Sequence, residues 1–192
     1  MKGREVKMEK LLEINIMENK KIVWVLNLAG LVLVIPFFPF FTYLADLVSE
    51  NLRTSAQTEF ESIAYLFPLF ILLICIHEAI HGLFFKLFCP ENPVKYGFKW
   101  KSLMAYATSP GSLYNRKQFM VIALAPFVLI SLALTLGLAL GWLSDTLYVV
   151  LAACHAAGCV GDFYYAYLLL VKFARMDIRV EDTETGIFIY QA

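Results

Sequence analysis

The sequence predicts an all-α membrane protein of four transmembrane helices, with a small cytosolic β-hairpin between the second and third helices. Residues of the AVILMFWYC set make up 60% of the 192 residues, whereas charged residues make up only 17%. Four apolar stretches exceed the roughly 18 residues that mark a spanning helix. They are continuously apolar, which favours helices over the alternating strands of a barrel. We therefore expect one integral membrane domain over residues 1–192.

The four predicted spans differ in the polar groups that they carry. They are residues 22–47, 62–88, 119–143 and 146–171. The first is too long for the apolar core of a secretory signal, and no typical cleavage site closes it. The third has no charged residue, whereas the second and fourth contain all the histidines of the chain.

The distribution of Lys and Arg predicts the orientation. These residues are concentrated before the first span and between the second and third: Lys2, Arg4, Lys7, Lys10, Lys20, Lys21, then Lys86, Lys95, Lys99, Lys101, Arg116 and Lys117. The first linker holds only Arg53, so both termini and the hairpin are expected in the cytosol, at the cell membrane. The 16 basic and 16 acidic residues leave no basic excess, which argues against a nucleic-acid partner.

Three further segments have weaker patterns. Residues 94–100 alternate between apolar side chains and Lys or Gly, which predicts a strand, and residues 103–108 are its expected partner. A second small hairpin is expected within residues 178–190. Residues 6–17 mix apolar and charged side chains, as an interfacial helix does.

Ionisable residues within the spans are the strongest functional signal. A charge near mid-membrane costs about 2.5–3.5 kcal/mol on insertion scales, so such a residue indicates a function by default. Here His77, Glu78, His81, His155 and Asp162 all lie inside predicted spans.

Residues 77–81 form an HExxH motif. On a helix, His77 and His81 lie on one face about one turn apart, so both can bind a single Zn²⁺ ion per chain. Glu78 is rotated by about 100° from His77, where it can take a proton from a water at the metal. The alternative is a chance match, with two packing histidines and a snorkelling glutamate.

A catalytic zinc generally needs a third protein ligand, and depth in the membrane favours Asp162. Asp162 and His77 lie at nearly equal distances from the outer ends of parallel helices, so we expect them at one level. The alternative for Asp162 is a carboxylate satisfied by a tyrosine such as Tyr164, or by a polar cavity. His155 competes for the role of ligand, but lies about 10.5 Å further out. Three roles remain open for His155: orienting a ligand, binding substrate or oxyanion, and ordinary packing.

HExxH within a span, followed by an aspartate on a later span, resembles the site-2 protease class of intramembrane zinc metalloproteases. The run from His77-Glu78-Ala79-Ile80-His81-Gly82 through Tyr96-Gly97-Phe98-Lys99 to Gly161-Asp162 is more similar to the family described as putative zincin peptidases, small multi-pass bacterial membrane proteins. The resemblance implies His77, His81 and Asp162 as zinc ligands and Glu78 as the catalytic carboxylate. Unlike the aspartate of site-2 proteases, Asp162 follows a glycine, and the chain shows no PDZ domain.

The expected function is that of an intramembrane zinc metalloendopeptidase, which hydrolyses a membrane-protein or peptide substrate in or near the lipid bilayer. An unwound substrate segment could add to the edge of the 94–100 strand. Alternatively, that strand lies on the membrane interface with its lysines facing lipid headgroups. The runner-up functions are a non-catalytic membrane metal-binding or transport protein, and a structural module in which a metal stabilises helix packing.

Overall fold

The computed structural model describes residues 9–16, 19–52, 65–100 and 104–192. Its α-helices are α1 (Lys20–Leu52), α2 (Leu66–Phe88), α3 (Arg116–Ala139), α4 (Asp145–Gly158) and α5 (Val160–Tyr167), and α5 continues into a π-helical turn, Leu168–Lys172. Its strands are β1 (Lys10–Ile14), β2 (Lys95–Lys99), β3 (Met104–Thr108), β4 (Tyr114–Asn115), β5 (Ile178–Thr183) and β6 (Gly186–Gln191).

The all-α fold class predicted from the sequence is wrong. Of the described residues, 64% are helical, and six strands form two antiparallel sheets among them. Both predicted hairpins are confirmed, as β2–β3 and β5–β6. The prediction missed that β1 and β4 join the second hairpin in a four-stranded sheet of order β1-β6-β5-β4. Such pairing joins segments far apart along the chain, which periodicity within one segment does not reveal.

The interfacial helix predicted near the N-terminus is also wrong, since β1 is a strand that pairs antiparallel with β6. The pairing satisfies the backbone groups of β1 and buries Ile14 in one core with Ile187 and Ile189. That burial outweighs the helical preference of a segment too short to form a stable helix alone. Residues 6–8 and 17 of the predicted helix lie outside the described residues.

Three helices are long and apolar enough to cross a membrane: α1 over Lys20–Glu50, α2 and α3. Together, α4, α5 and the π-helical turn pass the same test, which gives up to four crossings among the described residues. The second helix is described from Leu66, and positions 62–64 of its predicted span lie outside the described residues.

The fourth predicted span is not one continuous helix. It is bent by 44° between α4 and α5. Cys159 lies at the break with φ −70° and ψ 12°, and Gly158 and Gly161 flank it. A glycine inside a helix costs about 1 kcal/mol relative to alanine, and glycines commonly mark sharp kinks. The bend changes the helix direction between His155 and Asp162.

Among the described residues, two apolar cores hold the elements together. One packs the four-stranded sheet against the ends of the helices and includes Tyr114, Phe119 and Leu169. The other lies among α1, α3 and α4 and includes Phe41. Helix α2 connects them, because Phe85 belongs to the first core and Ile80 packs against the second. The HExxH turn of α2 therefore lies where the two cores meet.

Candidate metal centre

The HExxH helix brings its two histidines together. His77 Nε2 and His81 Nε2 are 3.0 Å apart. The side chain of His81 is 10% exposed and that of His77 14% exposed, so both are largely shielded from solvent. The i, i+4 spacing of α2 places both rings on one face, as the motif predicts.

Asp162 of α5 completes a group of three residues that can bind one metal ion. Its Oδ2 lies 3.4 Å from His77 Nε2, and its Oδ1 lies 3.4 Å from His81 Nε2. Zinc holds nitrogen and oxygen ligands at about 2.0–2.1 Å, so neighbouring ligands of a tetrahedral ion lie about 3.3 Å apart. The separations between these donors match that distance, so His77, His81 and Asp162 fit one zinc ion.

The outer nitrogens of both histidines have partners that fix the ring orientations. His81 Nδ1 lies 2.9 Å from the carbonyl oxygen of Ile122 on α3, so Nδ1 carries the proton and Nε2 is left with its lone pair. His77 Nδ1 lies 3.2 Å from His155 Nε2. Of the roles left open for His155, the contact supports the orientation of a ligand.

A second group of donors shares His77. Cys159 Sγ lies 3.9 Å from both His77 Nδ1 and His155 Nε2. The thiol also donates a hydrogen bond to the backbone carbonyl of His155 at 3.3 Å, as a protonated cysteine does. A metal ligand must be a thiolate, so this contact favours the group with Asp162 as the metal centre.

Glu78 lines a cavity of about 350 Å³ beside these donors. Helices α1 to α5 and strands β3, β5 and β6 contribute to its walls. The backbone N–H of Ala107 on β3 faces the Glu78 carboxylate. The cavity gives a bound molecule access to Glu78 and to the three donor atoms together.

Sequence reasoning missed one carboxylate of this cavity, Asp182 at the end of β5. In the sequence, Asp182 opens the run Asp-Thr-Glu-Thr-Gly, and such a run indicates a turn. Its burial raises the pKa of its carboxyl group to about 7, and the Thr108 hydroxyl lies beside it. The sequence offers one signal for the place of Asp182: the hairpin expected within residues 178–190 is apolar, as a segment that folds back against the helices is.

The β2–β3 hairpin faces the cavity through β3. On β2, the strand proposed from the sequence as a substrate edge, the lysines bind the C-terminal hairpin. Lys95 Nζ is 2.8 Å from Glu184 Oε1, and Lys99 Nζ is 2.8 Å from the Glu184 carbonyl oxygen. Lys95 and Lys99 therefore contact the C-terminal hairpin, whereas Lys101 lies outside the described residues. That the lysines of this strand face lipid headgroups stays a prediction. Phe98 and Trp100 are exposed on the opposite face.

Apolar helices around an HExxH turn with a carboxylate at ligand distance are the arrangement expected of a membrane metallopeptidase. A family model described as putative zincin peptidase matches residues 70–176, more than half of the chain. The chain belongs to this family, which suggests a metal-dependent peptidase and implies zinc. Neither the curated proteins nor the solved structures gave a match.

Proposed function

We propose that this protein is a zinc-dependent endopeptidase that cuts peptide bonds within or near the membrane. The observation that carries the proposal is the zinc-sized spacing of 3.0–3.4 Å between donor atoms of His77, His81 and Asp162, beside a cavity that also contains Glu78. The apolar lengths of α1, α2 and α3 support a location in the bilayer.

Each residue of the centre has a distinct task in this proposal. Bound zinc supplies Lewis acidity, which activates water and polarises a carbonyl group. Glu78 accepts the proton of the attacking water on a carboxylate oxygen and later gives it to the nitrogen of the leaving amine. His81 keeps its proton on Nδ1 through the Ile122 carbonyl, so that Nε2 remains a ligand throughout.

Strand β3 is our candidate for holding the substrate. It pairs with β2 on one edge and with no other strand among the described residues. The N–H of Ala107 faces Glu78, so the unpaired edge borders the cavity. A peptide bond can be cut only after the substrate helix unwinds, and pairing with β3 would satisfy the freed backbone groups.

The test combines zinc content with cleavage by the detergent-purified protein. The wild type should hold one zinc per chain, and His77→Ala and Asp162→Ala should lose it. Glu78→Gln should keep the zinc and lose about 10²–10⁴-fold in the rate of cleavage of a quenched-peptide library. Cys75→Ser, at an exposed position of α2, is the matched control and should behave as wild type.

Two results would overturn the proposal. If the wild type holds no zinc after it has been incubated with zinc and purified again, the HExxH motif is only a packing feature. Zinc without any cleavage that depends on Glu78 would favour the metal-binding or transport function, in which the glutamate is not required.

A further inference from the structure

Asp182 is a carboxylate that the proposed reaction does not use. It lies on β5, where it is opposite Ile187 of β6, one pair before the turn of the hairpin. Its side chain lines the same cavity as Glu78 and Asp162. The C-terminal hairpin thus adds an acidic group to a cavity whose other polar groups come mainly from the helices. Position 182 lies beyond the segment that matches the family model, residues 70–176.

The charges that line the cavity are unbalanced. The described lining includes three carboxylates, those of Glu78, Asp162 and Asp182, but no lysine or arginine. A zinc ion carries two positive charges, which Glu78 and Asp162 offset. Asp182 is then left without a counter-charge, so its carboxyl group either takes a proton or pairs with a cation that enters the cavity.

His81 is the group near Asp182 that can carry a positive charge. It is neutral when it binds a metal through Nε2 and keeps its proton on Nδ1. The hydroxyl of Thr108, which is neutral, also lies beside Asp182. Tyr165 also lines the cavity and interacts with Asp182 electrostatically, but a phenol carries no positive charge. The lysines of the adjacent hairpin, Lys95 and Lys99, are bound to Glu184 on the outside.

We propose that Asp182 determines substrate specificity by pairing with a cationic group of the substrate close to the bond that is cut. The group would be the side chain of a lysine or arginine, or a free N-terminal ammonium, since each places a positive charge on a flexible or terminal position. The inference depends on the proposed peptidase function, because it names the substrate class of the same site. Burial raises the pKa of the Asp182 carboxyl group to about 7, and an entering cation would favour its charged form.

The experiment uses sets of quenched peptides that differ in one charge. Each set has lysine, norleucine or glutamate at one position near the cleaved bond, and each peptide is made with a free and with an acetylated N-terminus. The wild type should favour the cationic peptides by at least about tenfold in kcat/KM over their norleucine partners. The acetylated forms distinguish a side-chain cation from an N-terminal one.

Asp182→Asn should reduce that preference to about twofold or less, while the zinc content stays unchanged. Asp182→Glu keeps the charge and should keep the preference. Asp177→Asn, at an exposed position just before β5, is the matched control and should behave as wild type.

Three outcomes overturn the inference, and they are distinguishable from one another. If the wild type cleaves peptides through Glu78 without any preference for cations, the specificity is wrong and the peptidase proposal stands. If Asp182→Asn slows all peptides equally and lowers the thermal midpoint, Asp182 has a structural role beside Thr108. If no peptide is cleaved in a Glu78-dependent way, the proposed function itself fails.

Discussion

The imidazole of His155 is 5% exposed and contacts the candidate metal centre through the outer nitrogen of His77. When His77 binds a metal through Nε2, its Nδ1 carries a proton. His155 Nε2, which lies 3.2 Å away, then accepts a hydrogen bond from that N–H group. His155 then carries its own proton on Nδ1, which is buried and has no described hydrogen-bond partner. A neutral ring with one unsatisfied donor is thus the cost of orienting His77.

Replacing His155 should weaken zinc binding without abolishing it. We expect His155→Ala to raise the Kd for zinc by about 10–100-fold, because His77 loses the acceptor that fixes its ring. The measurement is a competition titration against a chromophoric chelator in detergent. Cys154→Ala, one position earlier in α4, is the control. A loss as complete as in Asp162→Ala would instead make His155 a direct ligand, and an unchanged Kd would remove it from the site.

Gly82, the residue after the HExxH motif, leaves room for Tyr96 of β2. A Cβ at position 82 would lie 1.8 Å from the Tyr96 hydroxyl and 2.6 Å from its ring. Gly82→Ala should therefore displace the ring and destabilise the protein by about 1–2 kcal/mol, measured by thermal unfolding in detergent. At Gly158, a Cβ would meet no atom within 4 Å, so Gly158→Ala should be neutral or slightly stabilising.

The cause of this effect can be checked with a double-mutant cycle. In a Tyr96→Ala background, Gly82→Ala should cost less than about 0.5 kcal/mol, because the clashing ring is gone. An equal cost with and without Tyr96 would show that the alanine acts through another contact.

At the scale of elements, Glu184 links the two hairpins beside the cavity. Its carboxylate pairs with Lys95, and its backbone carbonyl accepts a hydrogen bond from Lys99. The hydrogen bond and the charge of Lys95 lower the pKa of Glu184 below its ordinary value of 4.5. The pair therefore contributes fully above pH 4.5, and its contribution is lost as the pH falls through the lowered pKa. Lys95 stays protonated throughout, so only the carboxylate titrates.

Acidification should therefore loosen the contact between the hairpins. Spin labels at the exposed positions 100 and 191, in a cysteine-free background, should give a narrow distance distribution at neutral pH and a broader one well below pH 4.5. Glu184→Gln should give the broader distribution at both pH values. Glu91→Gln, on the exposed turn before β2, should keep the change with pH. If the distribution in Glu184→Gln is narrow at neutral pH and broadens on acidification as much as in the wild type, another group titrates.

The elements that sequence reasoning predicted are those whose signal lies within one segment. Long apolar runs predict α1, α2 and α3, and alternation within residues 94–100 predicts β2. Strand β1 could not be predicted in this way, because its partner β6 lies at the other end of the chain. The bend at Cys159 has a local signal, the glycines at 158 and 161, but glycines within an apolar run are also compatible with a continuous span.

The candidate site was predictable to a similar extent. The HExxH spacing alone predicts that His77 and His81 share a face, and a common depth in the membrane points to Asp162. Asp182 was not predictable, because its place in the cavity depends on how the C-terminal hairpin folds back over the helices. The assignment of zinc ligands and of Glu78 as the base stays a prediction until metal content and cleavage are measured.

At the scale of the whole molecule, the four-stranded sheet constrains how the chain can cross a membrane. Strand β1 precedes the first apolar helix and β6 follows the last, and the two strands are hydrogen-bonded to each other. They must therefore lie on the same side of a bilayer, because an open sheet cannot extend through hydrocarbon. An even number of crossings is then required. Since α1, α2 and α3 are long and apolar enough to provide three, we expect the bent pair α4–α5 with its π-helical turn to provide the fourth.

This topology predicts which positions a membrane-impermeant reagent reaches. Single cysteines at 13, 91 and 191, introduced into a cysteine-free chain, should react with a charged maleimide only from the cytosolic side, because Lys and Arg are concentrated before α1 and between α2 and α3. Cysteines at the exposed positions Tyr65 and Trp142 should react only from the opposite side. Labelling of 13 and 191 from opposite sides would mean three crossings, which the β1–β6 pairing does not allow. Labelling of both from the outside would keep four crossings and reverse the orientation, which would show that the basic residues bind the sheet and the hairpins instead of setting the topology.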